Sequence, residues 1–310
     1  MNFLHRQIGT PAAFIRALNS KQNTNFDNLV PLPASRFPID ELVDVYNQTR
    51  SDYVIPMPMS RVSFERYIEL YDIDLDVSTA VMDTVLTEIV AIGLLGIRGG
   101  EAWVSRLGVT PLARGRGIGH LLSGKLFDTA QQRGIEKLWI ELLVGSSVGT
   151  AITDKFGFQD VREMIVARRP PDRSVEPKLL SDFPDALPIA ENEIIELLKK
   201  RKTRPSWTNQ TESYQRLKDP LAGFYLTHPE HGRGWVVYEN NRFQLRRITV
   251  EIEEGNERLM TQEILSVLHQ VAARRDASIE NLPADSPQWE AYQAQGYFET
   301  FRRQELMVEF

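Results

Sequence analysis

One run constrains this chain more than any other: Leu107-Gly-Val-Thr-Pro-Leu-Ala-Arg-Gly-Arg-Gly-Ile-Gly-His120. An apolar strand, Ala102 to Val109, leads into a loop with glycines at 115, 117 and 119. A helix follows at once, with Ile118, Leu121, Leu122, Leu126 and Ala130 on one face and a stop at Gly134. Glycine lets the backbone approach a ligand closely, and the first amides of a helix have no acceptor within it. Together with the helix dipole, such amides form a site for phosphate oxygens. Arg114 and Arg116 add positive charge there, although the chain as a whole is acidic, with 36 Lys and Arg against 42 Asp and Glu. The same kind of turn also occurs for packing alone, with its arginines merely solvated.

Single residues exclude the two familiar phosphate loops. A nucleotide-binding Walker loop needs Gly-Lys-Ser/Thr at the helix start, and Gly119 is followed by His120 and Leu121. The dinucleotide fingerprint needs a glycine at 120 or 122, which are His120 and Leu122.

The rest of the chain is organised around this run. Helical spacing covers Pro38–Asn47 and Ser63–Tyr71, with the proline-bearing segment Tyr53-Val-Ile-Pro-Met-Pro-Met-Ser60 extended between them. Strands are expected at Glu88–Ile97 and Ala102–Val109 around the turn Arg98-Gly99-Gly100, and again at Lys137–Val144 and Val161–Ala167, with a short helix at Ala151–Lys155. Pro170, Pro171, Pro177, Pro184 and Pro188 mark an extended connector, so the predicted domains are 1–175 and 176–310. Within residues 1–22, Thr10-Pro11 followed by Ala12, Phe14, Ile15 and Leu18 reads as an additional capped helix. The same acid-poor stretch, with Arg6 and Arg16, also has a faint transit-peptide character.

The second part runs through a similar series. A helix at Asn192–Lys202 is followed by a hairpin, Trp235–Tyr238 and Phe243–Val250, around Asn240-Asn241. Then come a helix at Glu257–Arg275, a strand at Ser278–Leu282, a short helix at Gln288–Gln293 and a final strand. Gly117 and Gly157 are 40 residues apart, and Gly255 and Gly296 are 41 apart. Matching order and spacing predict a diverged duplication.

Composition removes whole classes of function. At about 100 to 200 residues per domain, 310 residues suit two domains, and 42% hydrophobic with 25% charged residues is an ordinary globular mix. A net charge of −6 argues against a nucleic-acid partner. The absence of cysteine excludes disulfides, thiolate metal sites and a cysteine nucleophile. The longest apolar run, Ile89–Ile97, falls short of the roughly 20 residues of a membrane helix, and no secretory layout is present. The expectation is a soluble cytoplasmic protein without a membrane or nucleic-acid partner.

The pattern Arg-x-x-Gly-x-Gly on Arg114, Gly117 and Gly119 resembles the acyl-CoA loop of the GCN5-related N-acetyltransferase (GNAT) superfamily. The resemblance spans roughly Phe26 to Arg169. Trp103–Val109 corresponds to the strand before the loop and Ile140-Glu-Leu to the next strand. Ala151-Ile-Thr-Asp-Lys-Phe-Gly-Phe158 corresponds to the family's Ala-x-Tyr-x-x-x-Gly-Phe ending. It implies an α/β fold with a mixed α+β sheet, as two tandem GNAT-like acyl-CoA acyltransferase domains of which the second is degenerate. It implies acetyl-CoA as acyl donor, no metal, and direct attack by a primary amine of a small-molecule or amino-acid-like acceptor. No covalent acyl-enzyme is then needed.

Residue by residue, the resemblance gives the cofactor pyrophosphate to the backbone of Arg114, Gly115, Arg116, Gly117, Ile118, Gly119 and His120. It gives the pantetheine arm to Leu107, Gly108 and Val109, where a backbone amide polarises the thioester carbonyl. The family's usual asparagine falls on Ser146, and its tyrosine general acid falls on Thr153, which is shorter and far less acidic. The family's catalytic glutamate position is Trp103. Glu101, two residues earlier and on the same strand face, is the candidate base, and it suits a solvated charge beside Gly99-Gly100 equally well. Glu141 matches a glutamate common in close relatives, without an implied role. Tyr53 and Met57, with Met59, are candidates for the acceptor wall, although methionines near prolines also serve simple packing.

In the second half the loop position reads Val250-Glu-Ile-Glu-Glu-Gly-Asn-Glu257, with glutamates where the first half has arginines. Those carboxylates repel a pyrophosphate, so this half is expected not to bind CoA, and to close the acceptor site or form a homodimer contact instead. His228-Pro-Glu-His231 reads as a solvated turn rather than a metal pair, and Lys199-Lys-Arg-Lys202 as a helix end that offsets the dipole. The alternative to an enzyme is a non-catalytic acyl-CoA-binding or sensor protein, which Ser146, Thr153 and the unassigned base favour. A structural module that has lost the cofactor is opposed by the intact Arg114, Gly117 and Gly119.

Overall fold

A computed structural model describes residues 28–53, 55–146 and 155–310. The expected N-terminal helix, most of the one at 151–155, and Thr153 lie outside the described residues. The chain divides into two compact units, Met1–Ile140 with Val308–Phe310, and Glu141–Met307.

In the first unit the strands lie in the order β1 (Leu29–Pro33), β2 (Thr79–Asp83), β3 (Glu88–Arg98), β4 (Glu101–Val109) and β5 (Lys137–Leu143). Neighbours are antiparallel except β4 and β5, because only that pair is joined through a crossover helix, α3 (Ile118–Gln132). The β3–β4 hairpin turns at Arg98-Gly99-Gly100, with Gly99 in the left-handed region at φ 56°. The first helices are α1 (Ile39–Thr49) and α2 (Arg61–Leu70). Leu42, Val45 and Tyr46 of α1 are buried, and Ser60 caps α2 by accepting from the Ser63 amide at 3.2 Å. Leu122, Leu126 and Ala130 seat α3 against β3. Gly93 permits the approach, since a Cβ there would lie 2.6 Å from Leu126 Cδ1.

The sequence reading missed β1 and β2. β2 is only five residues long and buried throughout, so it shows no alternation, and β1 carries Pro31 and Pro33. Prolines are tolerated there because β1 pairs only with β2 and is an edge strand.

In the second unit the order is β12 (Phe298–Glu309), β6 (Gln159–Arg169), β11 (Asp276–Pro283), β10 (Gln244–Gly255), β9 (Gly232–Asn240), β8 (Leu221–His228) and β7 (Ala186–Pro188). Its helices are α4 (Glu191–Lys199), α5 (Thr211–Gln215), α6 (Glu257–Val271) and α7 (Gln288–Ala294). Again one neighbouring pair is parallel, β10 with β11, and it is joined by α6. Met260, Ile264 and Leu268 of α6 enter a core with Val236, Leu245 and Ala277.

The two series share their order: strand, two helices, three strands, helix, strand. Both crossover helices have 15 residues. Both strands before them carry an arginine in the left-handed region, Arg106 at φ 54° and Arg247 at φ 52°, beside a shift in register. The compact units nevertheless divide at Ile140/Glu141 rather than at 175/176. The reason is β6, which lies before the proline-rich connector and hydrogen-bonds along its length to β11 and β12. Among the described residues, no helix is long and apolar enough to cross a membrane.

Candidate functional site

The glycine-rich loop leaves β4 through Thr110 and a short turn at Pro111–Ala113. Gly115 and Gly117 both take φ 77°. A Cβ on Gly115 would meet nothing within 4 Å, so that glycine is required by backbone conformation and not by space. Gly117 caps α3 in the left-handed region, with no side-chain hydrogen bond. The carbonyl of Gly117 accepts from His120 at 3.1 Å and Leu121 at 3.2 Å, whereas the amides of Gly115, Arg116, Gly117, Ile118 and Gly119 find no acceptor among the described residues. Five consecutive donors at an uncapped helix start form a cradle for anionic oxygens.

The loop arginines, expected as free positive charge, are engaged by carboxylates. Arg114 binds Asp52 through Nη1 at 2.5 Å and Nη2 at 2.8 Å, and also reaches the carbonyls of Val109 (3.2 Å) and Thr49 (3.3 Å). Arg116 donates to Asp83 at 2.9 Å. That aspartate is buried, and Asn28 and the amides of Val85 and Leu86 also donate to it. The bond to Arg114 holds the Asp52 carboxyl below its usual range, and hydrogen bonds from Arg116, Asn28 and two amides outweigh burial at Asp83 and do the same. The guanidinium groups thus fix the loop to the end of α1 and to β2. What the loop presents is backbone.

Beside the loop, β4 pairs with β5 from Glu101 to Val104 only, so its second half, Ser105–Val109, extends past the β5 ladder. Arg106 forms the bulge there, and its guanidinium lies 4.4 Å from the Tyr67 ring centre and 5.5 Å from that of Tyr46. Tyr67 Oη hydrogen-bonds Ser105 Oγ, and Tyr71 packs edge-on to Tyr67 (4.7 Å) and Trp103 (5.8 Å). Arg50, at the end of α1, donates to the Leu107 carbonyl at 3.0 Å, and Gly108 admits that end of α1, since a Cβ would lie 2.7 Å from Thr49. Leu107 and Val109 are half-buried.

Tyr53 and Met57 sit on the segment after α1. Arg50 lies over the Tyr53 ring at 4.5 Å, Tyr46 Oη donates to the Met57 carbonyl at 2.9 Å, and Asn47 bonds both the amide and the carbonyl of Met59. The segment is therefore pinned to α1 by its backbone. Sequence reasoning missed Tyr46, Asn47, Arg50, Tyr67 and Arg106. Tyr46 and Tyr67 occupy helix positions that read as core, and no residue type announces a bulge at an arginine.

Other expectations shift. Glu101 stands at the hairpin end of β4, opposite Arg98, and accepts from Trp139 Nε1 at 3.0 Å. Seven strand residues, roughly 23 Å, separate it from Gly108, so it is a hairpin residue and not a base at the strand opening. Ser146 follows β5, its amide bonded to the Leu143 carbonyl at 3.0 Å. Glu141, in the second unit, is buried with Asn281 Nδ2 at 3.0 Å and Arg303 Nη1 at 3.5 Å, and burial pushes its carboxyl up. His228, His231 and Glu263 bring ligand atoms within 4.8 Å of one another. However, His228 Nδ1 already accepts from the amides of Glu230 and His231, which leaves its other nitrogen protonated in the neutral ring. The His228 ring and the amides of Glu230 and His231 form a hydrogen-bonded turn.

The second unit builds the corresponding helix start differently. Asn256 caps α6 by accepting from the Leu259 amide at 3.0 Å. Gly255, at φ 99°, is fixed by the start of β9 and the residue before it, because a Cβ there would lie 2.0 Å from the His231 carbonyl oxygen and 2.7 Å from Gly232 Cα. Glu253, Glu254 and Glu257 flank this cap in the sequence, and Glu253 pairs with Arg233 at 3.0 Å. One helix start is thus capped by its own chain, and the other is open.

Residues 42–158 match the acetyltransferase (GNAT) family. No curated protein sequence matches the chain. Among solved structures, a GCN5-related N-acetyltransferase from Sphaerobacter thermophilus is similar over 91% of this chain and 96% of its own, with a TM-score of 0.65 at 16% identity. A tandem GNAT protein from the clavulanic acid biosynthesis pathway is similar over 91% and 98%, with a TM-score of 0.60 at 14% identity. The Saccharomyces cerevisiae N-myristoyltransferase with bound myristoyl-CoA is similar over 95% and 86%, with a TM-score of 0.62 at 9% identity. At these identities the likeness is one of fold.

Proposed function

From the premise that residues 42–158 form a domain of the GNAT acetyltransferase family, we propose that this protein transfers an acetyl group from acetyl-CoA to a primary amine of a small molecule or amino-acid-like acceptor. The observation that carries the reading is the open helix start, where the amides of Gly115–Gly119 have no acceptor among the described residues. A pyrophosphate group fits that donor set, since its oxygens are acceptors only and the helix dipole favours negative charge.

In this reading the amides from Gly115 to Gly119 hold the pyrophosphate, the His120 amide being engaged by the Gly117 carbonyl, and Arg114 and Arg116 hold the loop through Asp52 and Asp83. The backbone of Leu107–Val109 orients the pantetheine arm, and Ser146 takes the position of the family's asparagine. When bound, acetyl-CoA supplies an activated acyl group as a thioester. The amine attacks it directly, so no residue of this chain is acylated. The amine loses a proton to solvent, and solvent returns one to the thiolate. Tyr53 and Met57, on the segment pinned by Tyr46 and Asn47, line the acceptor side.

The test is release of free thiol from acetyl-CoA across a panel of primary amines, including amino acids and diamines. Amine-dependent thiol release that is lost in Gly117→Glu is the expected result. Saturable binding of acetyl-CoA without release on any amine points instead to a non-catalytic acyl-CoA sensor, the reading that Ser146 and the placement of Glu101 favour.

A further inference from the structure

In the first unit, Arg61, Arg66, Arg98, Arg114 and Arg116 each pair with a carboxylate. Arg50 pairs with none among the described residues. It follows α1, is half-buried, and donates through Nη2 to the Leu107 carbonyl at 3.0 Å, with its guanidinium 4.5 Å from the Tyr53 ring centre. Its Nε and Nη1 find no acceptor among the described residues, and neither atom is sealed inside the protein.

The helix end does not account for this charge. The last carbonyls of α1 are engaged without the guanidinium: Tyr46 by Thr49 Oγ1 at 2.7 Å, Asn47 by the Arg50 amide at 3.1 Å, Gln48 by the Ser51 amide at 3.2 Å and Thr49 by Arg114 at 3.3 Å. Asp52, two residues on, does not answer it either, because Arg114 holds both Asp52 oxygens. Burial holds the Arg50 guanidinium below its usual pKa, and the like charge of Arg106 acts in the same direction. An anion bound there relieves both effects.

We propose that Arg50 binds a carboxylate of the acceptor, so that the amine acetylated is an amino acid or another amine carrying its own carboxylate. The inference rests on the acetyl-transfer reading given above. A guanidinium offers parallel N–H donors that match the two oxygens of a carboxylate. The bond to Leu107 fixes this guanidinium against the half of β4 assigned to the pantetheine arm, so an amine a few bonds from the carboxylate stands near the thioester. Its nitrogen forms the amide bond as the thioester C–S bond breaks, giving an N-acetylamino acid and the free thiol of CoA. The proton leaving the nitrogen goes to solvent, and solvent supplies one to the thiolate.

Thiol release from acetyl-CoA, compared between a panel of amino acids and their amides, tests this. In Arg50→Gln the ratio of kcat/KM for acid over amide should fall by about a hundredfold. Comparison with the unmodified protein cancels the difference in amine basicity. An unchanged ratio, or a loss shared equally by acids and amides, marks Arg50 as a structural residue and overturns the proposal. Ligand titration by NMR on the unmodified protein, in the presence of CoA, covers the case in which Arg50→Gln does not fold. At least one N-acetylated amino acid of the panel should bind about tenfold more tightly than its amide. Equal binding, or none, sinks the carboxylate site. Preferential binding of the acid without thiol release from any amine sinks the transfer reading and leaves the site, so the two failures are distinct.

Discussion

At the scale of single residues, the loop works through what its side chains are prevented from doing. Arg114 and Arg116 are held by Asp52 and Asp83, so in the proposed function binding falls to the amides that Gly115 and Gly117 expose by adopting φ 77°. Gly117→Glu combines a strained left-handed residue with a carboxylate at the cradle. A like charge about 4 Å from a phosphate, at an effective dielectric of about 20, costs about 4 kcal/mol. Affinity for acetyl-CoA should therefore fall by about a thousandfold, while far-ultraviolet circular dichroism stays unchanged. Unchanged affinity means that the loop is not the site. The glycines were legible in the sequence because only glycine adopts such a conformation without penalty. The fate of the arginines was not, since Asp52 and Asp83 lie 62 and 33 residues from their partners. Arg106 was invisible for a related reason: a bulge is set by how two strands meet, and arginine has no preference for it.

At the scale of elements, the contrast between α3 and α6 separates the two halves. Both helices are 15 residues long and both cross between parallel strands, yet Gly117 leaves α3 uncapped and Asn256 closes α6. Asn256→Ala removes that cap and should lower the stability of the second unit by about 1 kcal/mol. Urea midpoints measure this, and acetyl-CoA affinity should not change. If affinity drops as well, the second helix start takes part in binding. Gly93→Val crowds Leu126 and should cost about 1 to 3 kcal/mol by lifting α3 from β3; an unaltered midpoint contradicts the packing described. Periodicity and turn chemistry revealed the long elements, such as α1, α3, β3, β4 and α6. They missed β1, β2 and β7, whose lengths of three to five residues are too short for a pattern, and also the eight-residue β8, whose burial does not alternate.

At the scale of the whole molecule, the shared order of elements in the two halves was legible as a 40- and 41-residue spacing, but the division of the chain into compact units was not. The prolines after β6 suggested a border at 175/176, and strand pairing, which sequence does not display, assigns β6 to the second unit. That unit also carries an acid-sensitive element. His269 of α6 is 4% exposed, and burial, with a smaller contribution from Arg169, lowers its pKa to about 3. Both ring nitrogens lack a partner among the described residues. The folded state keeps the ring neutral, whereas the unfolded chain takes up a proton below pH 6.5. Stability is therefore expected to fall as pH drops from 6.5 toward 3, by up to about 1.4 kcal/mol per unit from this group. His269→Phe should flatten the fall in urea midpoint between pH 7 and pH 4.5, and an identical slope would contradict the assignment.

The central claim is that one unit keeps an open anion cradle and the other has closed its own. Calorimetric titration of acetyl-CoA into the purified protein tests it most directly, with NADH and ATP as controls. The account predicts one site per chain, abolished by Gly117→Glu and unaffected by Asn256→Ala. Two sites contradict the argument from the Asn256 cap and the glutamates that flank it in the sequence. No binding contradicts the reading of the loop itself and leaves only the fold.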